Sequence, residues 1–133
     1  MKSVSGLKLL KEILGTGPEA KKGDKIVYNT KIFLNQGDEV PLNQQQSERM
    51  PEHMNHILRK VDEYTFIDHH VILGKRETMA AVEYSLYEMK EGGYKKIKAS
   101  PHLAYREKGV PGLIPENAVL TIELWLREIN KKS

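Results

Sequence analysis

Pro101 to Leu126 reads P-H-L-A-Y-R-E-K-G-V-P-G-L-I-P-E-N-A-V-L-T-I-E-L-W-L, a loop punctuated by Gly109, Pro111, Gly112 and Pro115 that runs into a regular alternation of apolar and polar residues. Glycine and proline at these positions set backbone angles that other residues avoid, so the loop is shaped rather than slack. Beyond it, Leu120, Ile122, Leu124 and Leu126 fall on one side of a strand, with Thr121, Glu123 and Trp125 on the other. A strand with one apolar face needs a second layer to cover that face.

Other stretches repeat the pattern. Lys25 to Leu34 places Ile26, Tyr28, Thr30, Ile32 and Leu34 on its more apolar face, with Val27, Asn29, Lys31 and Phe33 opposite. Asn35-Gln36-Gly37-Asp38 then reads as a hairpin turn. Thr65 to Leu73 aligns Ile67, His69, Val71 and Leu73, and Tyr94 to Ser100 is a further strand. Glu77 to Met89 changes period: Met79, Val82, Leu86 and Met89 form a helical stripe, closed by Gly92-Gly93. From Leu42 to about Thr65 the chain is polar. Within it Met54, Ile57, Leu58 and Val61 recur at helical spacing and Pro51 suits a first turn, which predicts a helix from about Pro51 to Glu63. Leu7 to Leu14 is compatible with a short helix or a strand, broken at Gly15. The expected architecture is one α+β domain over residues 1–133: a twisted antiparallel β-sheet wrapped around one central α-helix, with an extra helical insertion at about 42–65.

Composition narrows the function classes. A chain of 133 residues can bury a core of its own, and 39% hydrophobic with 29% charged residues is a globular balance, not a disordered or membrane-embedded one. The net charge of +3 is dispersed among acids, and Lys21-Lys22 and Lys95-Lys96 lack interleaved aromatics. They read as solvated faces, so no nucleic-acid partner is expected. The absence of cysteine excludes disulfides, a thiol nucleophile and cysteine-based metal sites. No apolar leader stands in M-K-S-V-S-G-L-K, and no run of about 18 apolar residues occurs. The expectation is a cytoplasmic protein with no membrane partner, a trimmed exported fragment remaining open. His53 and His56 share a face of the expected helix, and His69-His70 lie on a strand. Adjacent strand histidines point oppositely, and no carboxylate cluster joins them, so no metal and no cofactor is expected.

A-Y at 104–105, followed by G-V-P-G-L-I-P-E-N-A-V-L-T-I-E-L at 109–124, resembles the closing segment of the FKBP-type peptidyl-prolyl isomerases. G-T-G-P-E-A-K-K-G-D at 15–24 meets every fixed letter of the family's G-x-G-x-x-A-x-x-G-D turn between its first two strands, which makes Leu7–Leu14 a strand. The resemblance implies a pocket for a proline ring at Thr30, Val40, Pro41, His69, Thr78, Met79, Val82, Tyr105, Ile114 and Ile122. Tyr105 and Ile114 match the family outright, although Tyr105 has a plainer reading as a loop-closing hydrogen-bonding residue. A gapless count puts Thr30 where the family has an inward tyrosine; a one-residue slip would put Asn29 there. Val40-Pro41 stands for Phe-Asp, Val82 for a tryptophan floor and Ile122 for a phenylalanine. Met79 replaces an isoleucine whose backbone N–H contacts the substrate carbonyl, a role that survives any side chain.

The chemistry such a pocket carries needs no nucleophile. Rotation about a peptide bond meets a barrier of about 18–20 kcal/mol because the twisted amide loses its resonance. X-Pro bonds alone commonly populate both isomers, and they exchange over tens of seconds or more. Dry apolar walls favour the less charge-separated twisted state, so catalysis is differential binding of that state. The resemblance therefore implies an isomerase of X-Pro bonds in peptides or unfolded proteins, with low turnover and poor binding of macrolide inhibitors because the aromatic cage is depleted. The alternative is a non-catalytic binding or chaperone module that uses the insert, with Trp125 either anchoring a partner or packed half-buried on the outer strand face.

Overall fold

Strand β2 (Lys25–Leu34) is the axis of the sheet. In the computed structural model, which describes residues 5–35, 37–40, 57–104 and 114–131, it pairs antiparallel with three others. The remaining described elements are β1 (Leu7–Ile13), β3 (Glu39–Val40), β4 (Ile57–Val61), β5 (Tyr64–Ile72), helix α1 (Ala80–Leu86), β6 (Tyr94–Ala99), a single 3-10 turn (Pro101–Leu103) and β7 (Leu120–Asn130). The sheet runs β1-β6-β7-β2-β5-β4, with β3 beside β2. The long strand predicted from the alternation at 120–126 continues to Asn130, paired along its length with β2 from Lys25↔Asn130 to Leu34↔Leu120.

The alternation fixes which side is buried. Leu120, Ile122, Leu124 and Leu126 are fully enclosed, and with Ile26, Tyr28, Ile32, Val71 and Ile97 they meet Ala81, Val82 and Leu86 of α1. This is the twisted antiparallel sheet on one helix that the sequence predicts. The helix is shorter than Glu77–Met89 because both of its expected ends are used elsewhere. The Glu77 carboxylate accepts from the Ile72 N–H (2.6 Å), and Glu88 turns into the left-handed region (φ 69°) so that its N–H donates to the Ala20 carbonyl at 2.9 Å.

The insert departs from expectation. Ile57–Val61 is a strand, not helix: it pairs with β5 from Ile57↔Asp68 to Val61↔Tyr64 through a tight turn in which Asp62 takes φ 56°. The helical spacing of Ile57, Leu58 and Val61 lost to this hairpin, which a cross-strand ion pair supports. Arg59 forms a two-point bond with Asp68 (Nε–Oδ1 2.9 Å, a second nitrogen to Oδ2 3.0 Å). Residues 51–56, and with them His53 and His56, lie outside the described residues.

The outer face is also organised. Tyr64, Phe66, Trp125 and Tyr94 form a row of ring contacts with centroids 4.9, 5.1 and 5.2 Å apart, and the Lys31 ammonium sits 3.5 Å from the Tyr64 centroid. Trp125 is thus half-buried between neighbours. Beside the row, Asn29 is wholly enclosed. Its amide donates to the Tyr28 and Ile67 carbonyls and to Asp68 (2.7 Å), and its oxygen accepts from Arg127 Nε (2.7 Å).

Candidate functional site

The register of β2 lays out one end of the inner face. Tyr28 lies opposite His69 and Leu126, Thr30 opposite Leu124, and Ile32 opposite both Val40 and Ile122. Helix α1 covers these positions, placing Val82 in the same buried cluster as Tyr28, Val40, Ile114 and Ile122. Of the residues singled out from the sequence, Val40, Val82, Ile114 and Ile122 are buried, with Val82 1% and Ile122 0% exposed. Thr30, His69, Thr78 and Met79 are half-exposed. Four buried aliphatic residues therefore accompany partly accessible groups, of which His69 and Thr78 meet through Tyr28. Pro41 and Tyr105 fall outside the described residues.

Between β5 and α1 the chain turns through residues 73–79, and this loop is pinned at several points. Leu73 exchanges backbone bonds with Gly23 and Asp24 (2.8 and 2.9 Å). Glu83, one turn into the helix, accepts from the Gly74 N–H at 2.9 Å and from the Arg76 N–H at 3.3 Å. Thr78 Oγ1 lies 2.7 Å from the Tyr28 hydroxyl. Gly74 has φ 97°, and a Cβ there would stand 2.7 Å from Lys22 Cγ, so only glycine lets the Lys22 stem lie against the loop. The clamps deliver Met79 in extended geometry (φ −60°, ψ 149°) at the start of the helix, its carbonyl accepting from Val82 and Glu83. Among the described residues nothing accepts from the Met79 N–H.

Sequence reasoning placed Tyr28 inward but did not count it in the site. Its ring stacks on His69 (centroids 5.1 Å, interplanar angle 25°), its hydroxyl reaches Thr78, and it is 4% exposed. The available signal was parity: Tyr28 and Thr30 share the inner face two residues apart, so an aromatic there can occupy volume that the small Thr30 and Val82 leave. His69 and His70 take opposite faces, as strand parity requires; His69 faces Tyr28 and His70 is exposed. Among the described residues no group of three or more His, Asp or Glu side chains is arranged to hold a metal ion.

Beside Thr78 and Met79 opens a cavity of about 580 Å³, lined also by Ala104 and by Lys22, Arg76 and Tyr87. Burial and the neighbouring Glu83 carboxylate push the Tyr87 phenol above its ordinary value, so it stays protonated as a donor.

The described residues form a sheet wrapped on one short helix, with buried aliphatic residues and a Met79 N–H for which they offer no acceptor, and the comparisons identify the class. Residues 17–127 match the family described as FKBP-type peptidyl-prolyl cis-trans isomerase, and the chain belongs to that family. It is similar to FK506-binding protein 4 of Aspergillus fumigatus, 31% identical over 129 residues, which is 97% of this chain and 22% of that protein. Human peptidyl-prolyl cis-trans isomerase FKBP9 is 33% identical over 61 residues (46% of this chain, 11% of that protein). Xenopus laevis peptidyl-prolyl cis-trans isomerase FKBP1A is 36% identical over 55 residues, 41% of this chain and 51% of that protein. The chain thus spans about a fifth of the length of the first of these relatives. Proteins of this family act on proline-containing peptides and proteins.

Proposed function

We propose that this chain catalyses cis/trans exchange of X-Pro bonds in peptides or unfolded proteins, with reduced turnover, at Thr30, His69, Thr78 and Met79 beside the buried Ile114, with Tyr105 added on the strength of the family resemblance. One observation carries the reading: the 73–79 loop is clamped, and among the described residues no group accepts from the Met79 N–H at the entrance of α1. A fixed backbone donor beside dry walls can hold the amide carbonyl of the residue before proline while the bond twists, and no group has to move a proton. Reduced turnover follows from the buried positions. Val82 and Ile122 expose almost nothing to a ligand, so the proline ring meets the half-exposed residues rather than a deep aromatic cage.

The burial of Val82 and Ile122 also supports the second reading, a non-catalytic module that retained the fold. NMR exchange spectroscopy on short X-Pro peptides separates the two. The isomerase reading expects measurable acceleration by wild type and a gain when Tyr28→Val is combined with Val82→Trp, a pair that gives a new tryptophan room. Exchange at the uncatalysed rate with wild type, appearing only in the double variant, refutes it and leaves the binding module.

A further inference from the structure

Lys22, Arg76, Glu83, Tyr84, Tyr87 and His102 line the same 580 Å³ cavity as Thr78 and Met79. None of these six side chains has to touch the X-Pro bond, although Glu83 also ties down the 73–79 loop, and together they give the cavity a distinct character. Lys22 and Arg76 are exposed, and among the described residues neither has an ion-pair partner. The opposing carboxylate, Glu83, has one oxygen turned to the Gly74 and Arg76 amides at 2.9 and 3.3 Å. His102 is held at both ring nitrogens, by Ser100 Oγ (2.9 Å) and the Ser5 carbonyl (3.2 Å), so its ring forms a fixed wall of the cavity. Two exposed cations thus share the cavity with one carboxylate, one of whose oxygens is already engaged, and the hydroxyl-bearing Tyr84 and Tyr87 complete the lining.

The positions are built in. The Lys22 stem lies along Gly74, where any side chain would collide with it, and the Tyr87 hydroxyl would stand 3.2 Å from the same Cβ. Arg76 occupies the left-handed region (φ 55°), a conformation costly for a residue with a side chain, with its N–H retained by Glu83. Both cations are therefore set by the same clamped loop that presents Met79.

We infer that this cavity is a subsite for an acidic side chain flanking the X-Pro bond, so that the preferred substrates are acidic segments of proline-containing chains. The inference rests on the isomerase reading, because it takes the ligand to be the continuation of a chain whose carbonyl sits at Met79. A flanking carboxylate there meets the Lys22 ammonium and Arg76 guanidinium and accepts from the tyrosine hydroxyls.

The test is exchange spectroscopy on matched peptides carrying Glu or Gln at each of the two positions on either side of the X-Pro pair. At one or more positions Glu should raise kcat/KM over Gln by about two- to fivefold, the range for partly exposed charge pairs. The ratio should shrink in about 0.5 M salt, where charges several ångströms apart are screened. It should fall to about one in the Lys22→Gln/Arg76→Gln double variant. Catalysed exchange with equal Glu and Gln rates at every position overturns the subsite and leaves the isomerase intact, as does a Glu preference that survives in the double variant. No catalysed exchange with any peptide refutes the isomerase reading itself and removes the inference with it.

Discussion

Asn29→Leu should cost far more stability than Asp68→Asn, although the second removes a charge and the first does not. Asn29 is 0% exposed and bridges two ionised groups: its amide donates to Asp68 at 2.7 Å and its oxygen accepts from Arg127 Nε at 2.7 Å. Burial holds the Arg127 guanidinium below its usual value, so that cation has already lost much of its water and depends on Asn29. Hydrogen bonds to charged groups contribute about 1.5–3 kcal/mol each. Two are lost with leucine, and the buried apolar area returns about 1 kcal/mol, for a net cost of about 3 kcal/mol. In Asp68→Asn the abandoned Arg59 is a third exposed and still has Glu128 at 3.4 Å. Asn29 keeps the Tyr28 and Ile67 carbonyls. That change should cost about 1 kcal/mol, the upper end for a pair with one partner still in contact with water. Urea denaturation at neutral pH measures both. Equal costs, or a larger one for Asp68→Asn, would mean that the ion pair rather than the amide holds the outer face together.

The same network sets an acid limb: burial alone would raise the Asp68 carboxyl, but the bonds from Arg59 and Asn29 bring it below its ordinary value. Its contribution is therefore complete above about pH 4 and is lost as pH falls through the lowered folded value, because the unfolded chain takes up the proton first; Asp68→Asn should flatten that limb in pH-dependent melts. Tyr28→Phe removes the bond to Thr78 and should cost about 0.5–1 kcal/mol while lowering X-Pro exchange severalfold through a looser 73–79 loop; denaturation and exchange on the same sample check both. Lys95 is 3% exposed with its ammonium on the Ser85 carbonyl at 2.9 Å, and burial lowers its value from 10.5. Wild-type stability should consequently rise with pH as it passes from the folded value towards 10.5. Lys95→Met should lack that rise and be neutral or stabilising at pH 7 by about 1 kcal/mol.

Strands were legible where one face is fully buried. Leu120, Ile122, Leu124 and Leu126 admit a single register, because a slip by one would turn all four to solvent, and the observed pairing with β2 follows. β4 was not legible for the opposite reason. Ile57 to Val61 carries helical spacing, and what decides its conformation is pairing with β5 and an Arg59–Asp68 bond nine residues apart, neither of which the apolar period registers. The helix ends were hidden in the same way, since Glu77 and Glu88 have ordinary helical propensity and leave the helix only to bond Ile72 and Ala20. In the site, family resemblance located positions but not volumes. It marked Thr30 and Val82 as losses, whereas Tyr28, from the same strand face, stacks on His69 and ties down Thr78. The cation-lined cavity was also out of reach of the sequence, because Lys22 and Arg76 meet only through the close approach at Gly74.

The central claim is catalysis at the clamped 73–79 loop, and the direct measurement is the cis/trans exchange rate of a short X-Pro peptide with catalytic amounts of wild type and of Tyr105→Phe. Acceleration by wild type that falls in Tyr105→Phe is the predicted result. An exchange rate equal to that of the free peptide, with a well-folded protein present, would contradict it.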